Sequence, residues 1–332
     1  MSDENANASS KPLKTWTHLQ KARKRPNEYA IVSTNLHFST DVAECPWELD
    51  QDLPVNAWFR KNREGSPLQH SDWDAFRDPD ELVYRTYNIL QDGQENYVCG
   101  LLEDFAEREH DAGLEREWLA TLSLLYTPSR YLLHALQMAS AYLVQMAPAS
   151  TISNCAIFQA GDCLRRLSHT AYRTRELANA CPELGFADAE RRHWEEEPAW
   201  QVFRELVERA LVVYDWGEAF VVLNLVLKPA VDEALFRELG RSARVYRDDL
   251  LSLMCESALR DSDRQRRWTG ALVEFALQET DNRQVILDWL ERWTPLGEQA
   301  IEAWCAHLPG EPGAAQRAQG ATAAFRSGLN LT

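Results

Sequence analysis

Positive charge is scarce in this chain. Its 332 residues carry 35 Lys and Arg against 51 Asp and Glu, a formal net charge of −16. That argues against nucleic acid as a partner, because a phosphate backbone is held by a basic face. It disfavours an anionic membrane surface for the same reason. The one basic run, Lys21, Arg23, Lys24 and Arg25, reads as a solvated arm or a contact with an acidic partner. Long hydrophobic runs are missing too. The most apolar window, Tyr131 to Met146, is interrupted by His134, Gln137, Ser140 and Gln145, too short and too polar to span a bilayer. The N-terminal MSDENANASSKPLK has no apolar segment and does not read as a signal peptide. The seven cysteines are odd in number, widely spaced and contain no CxxC. This pattern fits free thiols in a reducing compartment, not a disulfide framework or a zinc site, so a cytoplasmic location is expected. P-loop, GxGxxG and GxSxG motifs are absent.

What is present is tryptophan, twelve of them, and helical periodicity. Large aromatics supply much of the buried area in cores and interfaces. Residues 1–14 read as a disordered tail of small polar types. Residues 15–78 read as an extended arm, because Pro26, Pro46, Pro54 and Pro67 forbid a long helix there. The arm is rich in anchors, among them Trp16, Tyr29, Leu36, Phe38, Trp47 and Trp58, which must pack on its own helical body or on another chain. From residue 79 to 308 helical spacing takes over. Expected helices cover 80–110, as one long helix or a helix pair with Gly93 as a bend point, 114–126 stopped by Pro128, 130–146, and 149 to about 180. A short charged helix follows near 187–197, then 200–213, 218–227, 244–275 and 282–307, with Gly217 and Pro229 as kink points. The β-branched stretch FVVLNLVL (220–227) is assigned to helix because both flanks are helical. The Gly, Ala and Gln rich segment 309–332 is expected to be loose. The fold class is all-α, a bundle of long helices.

The stretch from Ala149 to Arg175 is central. Ser150 and Thr151 are good N-cap types, and Ile152, Ala156, Ala160, Cys163, Leu167 and Ala171 recur at helical spacing. Ferritin-like bundles place an inward Glu-x-x-His pair on such a helix to hold a metal. Here that pair is Cys163 and Arg166. Glu-x-x-His does occur twice elsewhere, as Glu107 with His110 and Glu190 with His193, both in densely charged segments that fit solvated faces. A di-iron site also needs lone carboxylates from other buried helices, yet 130–146 and FVVLNLVL contain none. His134 reads as a hydrogen-bonded core histidine. Cys163 and His169 stand about 240° apart around the axis at 3.6 residues per turn, too far to act together as a thiol nucleophile and its base. Asp162, Arg165 and Arg166 form either a surface network or a buried one.

Four blocks, TWTHLQKARKRPNEYAIVSTNLHF (15–38), SPLQHSDWDAFRDPDELVYRTYNILQDGQE (66–95), MAPASTISNCAIFQAGDCLRRLSHTAYRTREL (146–177) and DWGEAFVVLNLVLKP (215–229), give the chain a resemblance over roughly residues 13–308. It resembles the β subunit of the hydroxylase component of bacterial multicomponent di-iron monooxygenases, in the toluene and aromatic branch. The resemblance implies a ferritin-like bundle and a hydroxylase of paired α, β and γ subunits. In it only α holds the di-iron centre, activates O2 and oxidises the hydrocarbon. A Rieske-type ferredoxin, an NADH reductase and an effector protein would serve the complex. The β chain would carry no cofactor, no metal and no catalytic residue, and would be inactive alone. Carried over by position, Cys163 and Arg166 stand where α has Glu and His, Leu223 where α has a lone Glu, and Ser262 and Gln265 at the second Glu-x-x-His. Rival readings are a stand-alone di-iron protein using Glu107, His110, Glu190 and His193, and a helical interaction protein unrelated to oxygenases.

Overall fold

The computed structural model describes residues 16, 19, 24–36 and 52–331. Phe38, Trp47 and the 1–14 tail lie outside the described residues. Fourteen α-helices and several π and 3-10 turns account for the regular structure of these residues, and no strand occurs among them. Short α1 (Glu28–Ser33) and α2 (Pro54–Phe59) precede the long α3 (Tyr84–Glu107). Then come α4 (Arg116–Thr121), α5 (Ser129–Met146), α6 (Ser150–Ala180), α7 (Glu190–Glu196) and α8 (Pro198–Ala210). A rod follows in which α9 (Trp216–Val221), α10 (Lys228–Val231) and α11 (Leu239–Val245) are joined by π turns at Val222–Leu227 and Asp232–Glu238. The chain ends with α12 (Asp249–Ala276), α13 (Asn282–Cys305) and α14 (Ala314–Gly328).

The bundle forms because each long helix has one apolar stripe that only another helix can cover. A three-residue link between α5 and α6 makes them antiparallel neighbours. On α8, Trp200, Phe203, Leu206 and Val207 are buried, and they share one core with Ile286, Trp289, Leu290, Ile301 and Trp304 of α13. Four tryptophans, Trp118, Trp200, Trp216 and Trp304, are at most 1% exposed.

Several expectations are corrected. Of the two readings of 80–110, the single long helix holds: α3 is continuous for 24 residues through Gly93. The helix expected to stop before Pro128 does so: α4 continues as a π segment to Tyr126, Thr127 is its C-cap, and Pro128 is the N-cap of α5. Gly217 lies in the first turn of α9, where a Cβ would come within 2.8 Å of the Leu68 Cβ; it serves close approach, not a kink. The helical run of the rod is not interrupted at Pro229. The carbonyl of Leu225, which has no residue 229 N–H to bond, accepts instead from Arg326 Nη1 at 3.4 Å. The 309–332 segment is therefore not loose. Alanine is the best helix former, and Ala314, Ala318, Thr322 and Arg326 form the buried face of α14 against the rod.

The arm is fastened to its own body at many points. Tyr29 is buried and its hydroxyl accepts the Asp78 amide at 3.0 Å, so it is not available to a partner. Ser150 does not cap α6, whose N-cap is Ala149; its hydroxyl donates to the Ser33 carbonyl at 2.6 Å and ties α1 down. Trp58 rests edge-on against Tyr214 at 4.9 Å. Trp16 is half-buried, while Trp58 and Leu36 keep large exposed areas. His134 is exposed rather than a core residue, because it points away from the α5 stripe that faces α6.

Candidate functional site: the centre of the bundle

Four elements meet at the centre: α3, α6, the rod and α12. Asp162 is wholly buried on α6. Its Oδ1 accepts from the Tyr87 hydroxyl and Gln91 Nε2, each at 2.9 Å. Its Oδ2 accepts from Gln265 Nε2 at 2.6 Å and from Arg264. Asp261, on α12, is equally buried and accepts from Gln91 at 2.9 Å, Gln94 at 3.1 Å, Arg264 at 3.2 Å and Arg165. Gln91 thus donates to both carboxylates and clamps α3 onto α6 and α12. Burial would raise Asp261, but Arg166, Arg165 and Arg264 hold it at about 2. Asp162 is pushed up by burial and by the charge of Asp261.

A second ionic layer lies beside the first. Arg166 has 3% of its surface exposed. Its Nη1 is 3.4 Å from Asp232 on the rod, and its Nη2 donates to Ala258 O at 2.6 Å and Ser262 Oγ at 3.0 Å. The guanidinium stacks over the Phe236 ring at 4.8 Å. Lys228, one turn before Asp232, points at the same carboxylate from 3.7 Å. Burial opposes ionisation of Asp232, yet Lys228, Arg166 and Arg266 lower it below its ordinary value. Cys163 is fully buried and burial pushes its thiol up, which removes the thiolate needed of a nucleophile or metal ligand. Leu223 is packed in the apolar core of the rod.

A third layer closes the far end of α6. Arg173, with no exposed surface, meets Asp248 at 2.8 Å and Asp111 at 3.0 Å. Asp248 also N-caps α12 through the Leu251 amide and accepts from Trp118 Nε1 at 2.9 Å. The network of Asp162, Arg165 and Arg166 is therefore buried, the choice that the sequence left open.

The two local Glu-x-x-His pairs fare differently from expectation. Glu107 is exposed at the end of α3, whereas His110 is half-buried and its Nε2 lies 3.3 Å from Asp248. Glu190 is only 1% exposed, not on a solvated face. Its Oε1 accepts the Ala187 amide at 2.7 Å and its Oε2 lies 3.7 Å from Arg130, so it closes the turn before α7. His193 pairs through Nδ1 with the Ser123 carbonyl at 2.8 Å. Among the described residues no three His, Cys, Asp or Glu side chains are grouped to hold a metal, and no helix is long and apolar enough to cross a membrane. His169 reaches Glu95 at 2.9 Å, away from Cys163.

The structure brings Cys163, Arg166, Ser262 and Gln265 to one centre. Sequence reasoning missed their partners: Asp232, Lys228, Asp261, Arg264 and Gln91. The i, i+4 spacing of Lys228 and Asp232 inside an otherwise apolar run was a signal for one of them, since such a pair shares a helix face.

Known proteins extend this picture. Residues 58–280 match the Methane/Phenol/Alkene Hydroxylase family. The β subunit of the toluene-4-monooxygenase hydroxylase component from Ectopseudomonas mendocina is 53% identical over 90% of this chain and 92% of its own length. A phenol 2-monooxygenase oxygenase component, DmpL of Pseudomonas sp. (strain CF600), is 26% identical over 70% of each chain. Among solved structures, a chain of toluene 4-monooxygenase with toluene in the resting active site superposes with a TM-score of 0.85 at 52% identity, covering 90% of this chain and 99% of that one. A chain of xenon-pressurised phenol hydroxylase from Pseudomonas sp. OX1 shares the fold, with a TM-score of 0.83 at 20% identity, and covers 98% of each chain. This chain belongs to the Methane/Phenol/Alkene Hydroxylase family, as a β-type subunit of a multicomponent hydroxylase.

Proposed function

We propose that the chain is the non-catalytic, structural β subunit of a cytoplasmic hydroxylase that oxidises toluene or a related aromatic or alkene hydrocarbon. In this reading the hydroxylase is a paired α, β and γ assembly with the di-iron centre in α. Its electrons would come from NADH through a reductase and a Rieske-type ferredoxin, with an effector protein assisting. The single observation that carries the reading is the Arg166 guanidinium ion-paired to Asp232 at 3.4 Å, where a ligand histidine would be required. The five aligned positions offer a neutral thiol, a guanidinium, an aliphatic chain, a hydroxyl and an amide. That donor set does not fit two iron ions, which would also have to sit beside the fixed charges of Arg166 and Lys228. The nearby carboxylates of Asp162 and Asp261 already accept from arginine and amide donors, which supports a reading in which they are not free to bind a metal.

Substrate class rests on the relative named for toluene, and the substrate pocket would be in α. The test is co-expression of this tagged chain with the other hydroxylase subunits. A larger iron-bearing subunit that co-purifies with it, and hydrocarbon oxidation by the complex but not by this chain alone, is the expected result. Hydroxylation by the isolated chain contradicts it.

A further inference from the structure

A cavity of about 380 Å³ opens where the ends of α3 and α6 meet the start of α12. Arg173, in its lining, is two turns along α6 from Arg166, so the cavity is separate from the positions compared with metal ligands. Leu102, Phe105 and Leu250 give it an apolar wall, and His110 stands edge-on to Phe105 at 4.9 Å. Its buried side is ionic. Arg173 has no exposed surface. Its Nη2 donates to Asp111 and Asp248, while Nε and Nη1 are buried with no acceptor. Buried donors are almost always satisfied, so two idle ones beside a cavity point to a ligand. A second irregularity adds to this. Glu109 adopts a left-handed conformation, φ 53°, which turns the chain after α3 and sets His110 beside Asp248 and Asp111 beside Arg173. Non-glycine residues held in this way cluster at ligand sites.

We infer that this cavity binds a small aromatic alcohol of the phenol class, its hydroxyl between Arg173 and Asp111 and its ring against Leu102 and Phe105. The charges around the cavity select that chemistry. Glu109 and Glu176 line its exposed side, and the carbonyl ends of α3 and α6 add negative potential, so a carboxylate or phosphate is repelled. An ammonium group at the buried side meets the guanidinium of Arg173. A neutral hydroxyl suits both neighbours, because it accepts from Arg173 and donates to Asp111. The apolar wall calls for a carbon body, and the paired rings of Phe105 and His110 favour a flat one. A cavity of about 150 Å³ holds benzene, so the volume admits a ring, its hydroxyl and a bridging water. A phenol is the class of product that hydroxylation of an aromatic ring yields. The site therefore gives this chain a contact with product outside the active site. The binding claim itself stands on the cavity and goes beyond the functional reading.

The test is calorimetric titration of the full-length chain alone, where no active site of another subunit competes, with p-cresol, toluene, benzoate and benzylamine as probes. The expected result is saturable binding of one p-cresol per chain. Toluene, which lacks the hydroxyl, binds about tenfold more weakly, and benzoate and benzylamine are weaker than p-cresol by at least as much. Ala106→Trp fills the cavity from an exposed position at the end of α3 and abolishes p-cresol binding with the melting temperature kept. Asp111→Asn removes the acceptor for the hydroxyl and weakens p-cresol about tenfold. An absence of saturable p-cresol binding, or p-cresol held by the Ala106→Trp chain as tightly as by wild type, overturns the inference. Toluene bound as tightly as p-cresol removes the role of the hydroxyl and overturns it too. Benzylamine bound more tightly than p-cresol gives the site to a cation and overturns the assignment. Each of these results leaves the functional reading intact, since that reading falls on the co-purification result and not on ligand binding by this chain.

Discussion

Arg166 and Asp232 stand 3.4 Å apart, both almost entirely removed from water, and bind α6 to the rod through charge. Removing one partner of a buried pair strands the other, which costs about 3–5 kcal/mol. Lys228 remains near Asp232 and softens that loss, so Arg166→Met is expected to destabilise the chain by about 3 kcal/mol. Equilibrium urea unfolding measures it. A loss within about 0.5 kcal/mol, the range of a neutral surface change, contradicts the account.

Restoring the sequence spacing is not enough to build a metal site. Cys163→Glu with Arg166→His recreates Glu-x-x-His on α6, but Leu223, Ser262 and Gln265 still supply no carboxylate or imidazole, and Lys228 still projects its charge at Asp232. The purified double variant is expected to contain no iron above background by elemental analysis. Stoichiometric iron would show that the rest of the centre is more accommodating than its donors indicate.

The C-terminal helix is part of the fold. Arg326 serves the carbonyl orphaned by Pro229, and Arg317 pairs with the buried Glu238. Arg326→Ala leaves the Leu225 carbonyl unsatisfied and is expected to cost about 1–3 kcal/mol. Deleting residues 309–332 also uncovers the apolar surface of the rod, seen as a larger fall in melting temperature and as binding of a hydrophobic dye. An unchanged melting temperature after the deletion would show that α14 is dispensable.

Acid acts on the ionic layers with a definite sign. Asp261 titrates at about 2 in the fold against an ordinary 3.8, so it contributes stability that is complete above about 4 and is lost as pH falls through 2. Its share is on the order of 2 kcal/mol. Asp232 and Asp248 are shifted in the same direction. Asp162, shifted upward, opposes them, since its protonation on acidification relieves a burial penalty. Asp78 and Asp215 are shifted upward too, but the gain from protonating raised groups is complete once pH reaches their ordinary 3.8, so below pH 4 the lowered groups decide and urea midpoints should fall between pH 4 and pH 2. A midpoint that holds level across that window contradicts this balance.

Much of the bundle was legible because helical spacing survives in the sequence wherever an apolar stripe must be covered. The start of α6 was legible just after Pro148, and its expected end near residue 180 agrees with Ala180. The failures have physical causes. Composition hid α14, where alanine and glutamine look like linker but form a helix once Ala314, Ala318 and Thr322 have the rod to pack on. Pro229 read as a kink point because the donor that serves Leu225 comes from residue 326, about a hundred positions away. Glu190 looked solvated because its neighbours are charged, while its own carboxylate turns inward to a backbone amide. At the centre, the inward placement of Cys163 and Arg166 was visible. The carboxylates that neutralise the arginines were not, since Asp232 and Asp261 reach them only after three helices have packed.

The central claim is that the middle of this bundle is closed by fixed ionic pairs and holds no metal. Anomalous diffraction at the iron edge from crystals of the assembled hydroxylase tests it directly. The account predicts an iron signal in the partner subunit and none among Cys163, Arg166, Leu223, Asp232 and Gln265. An iron peak among those five residues would contradict it.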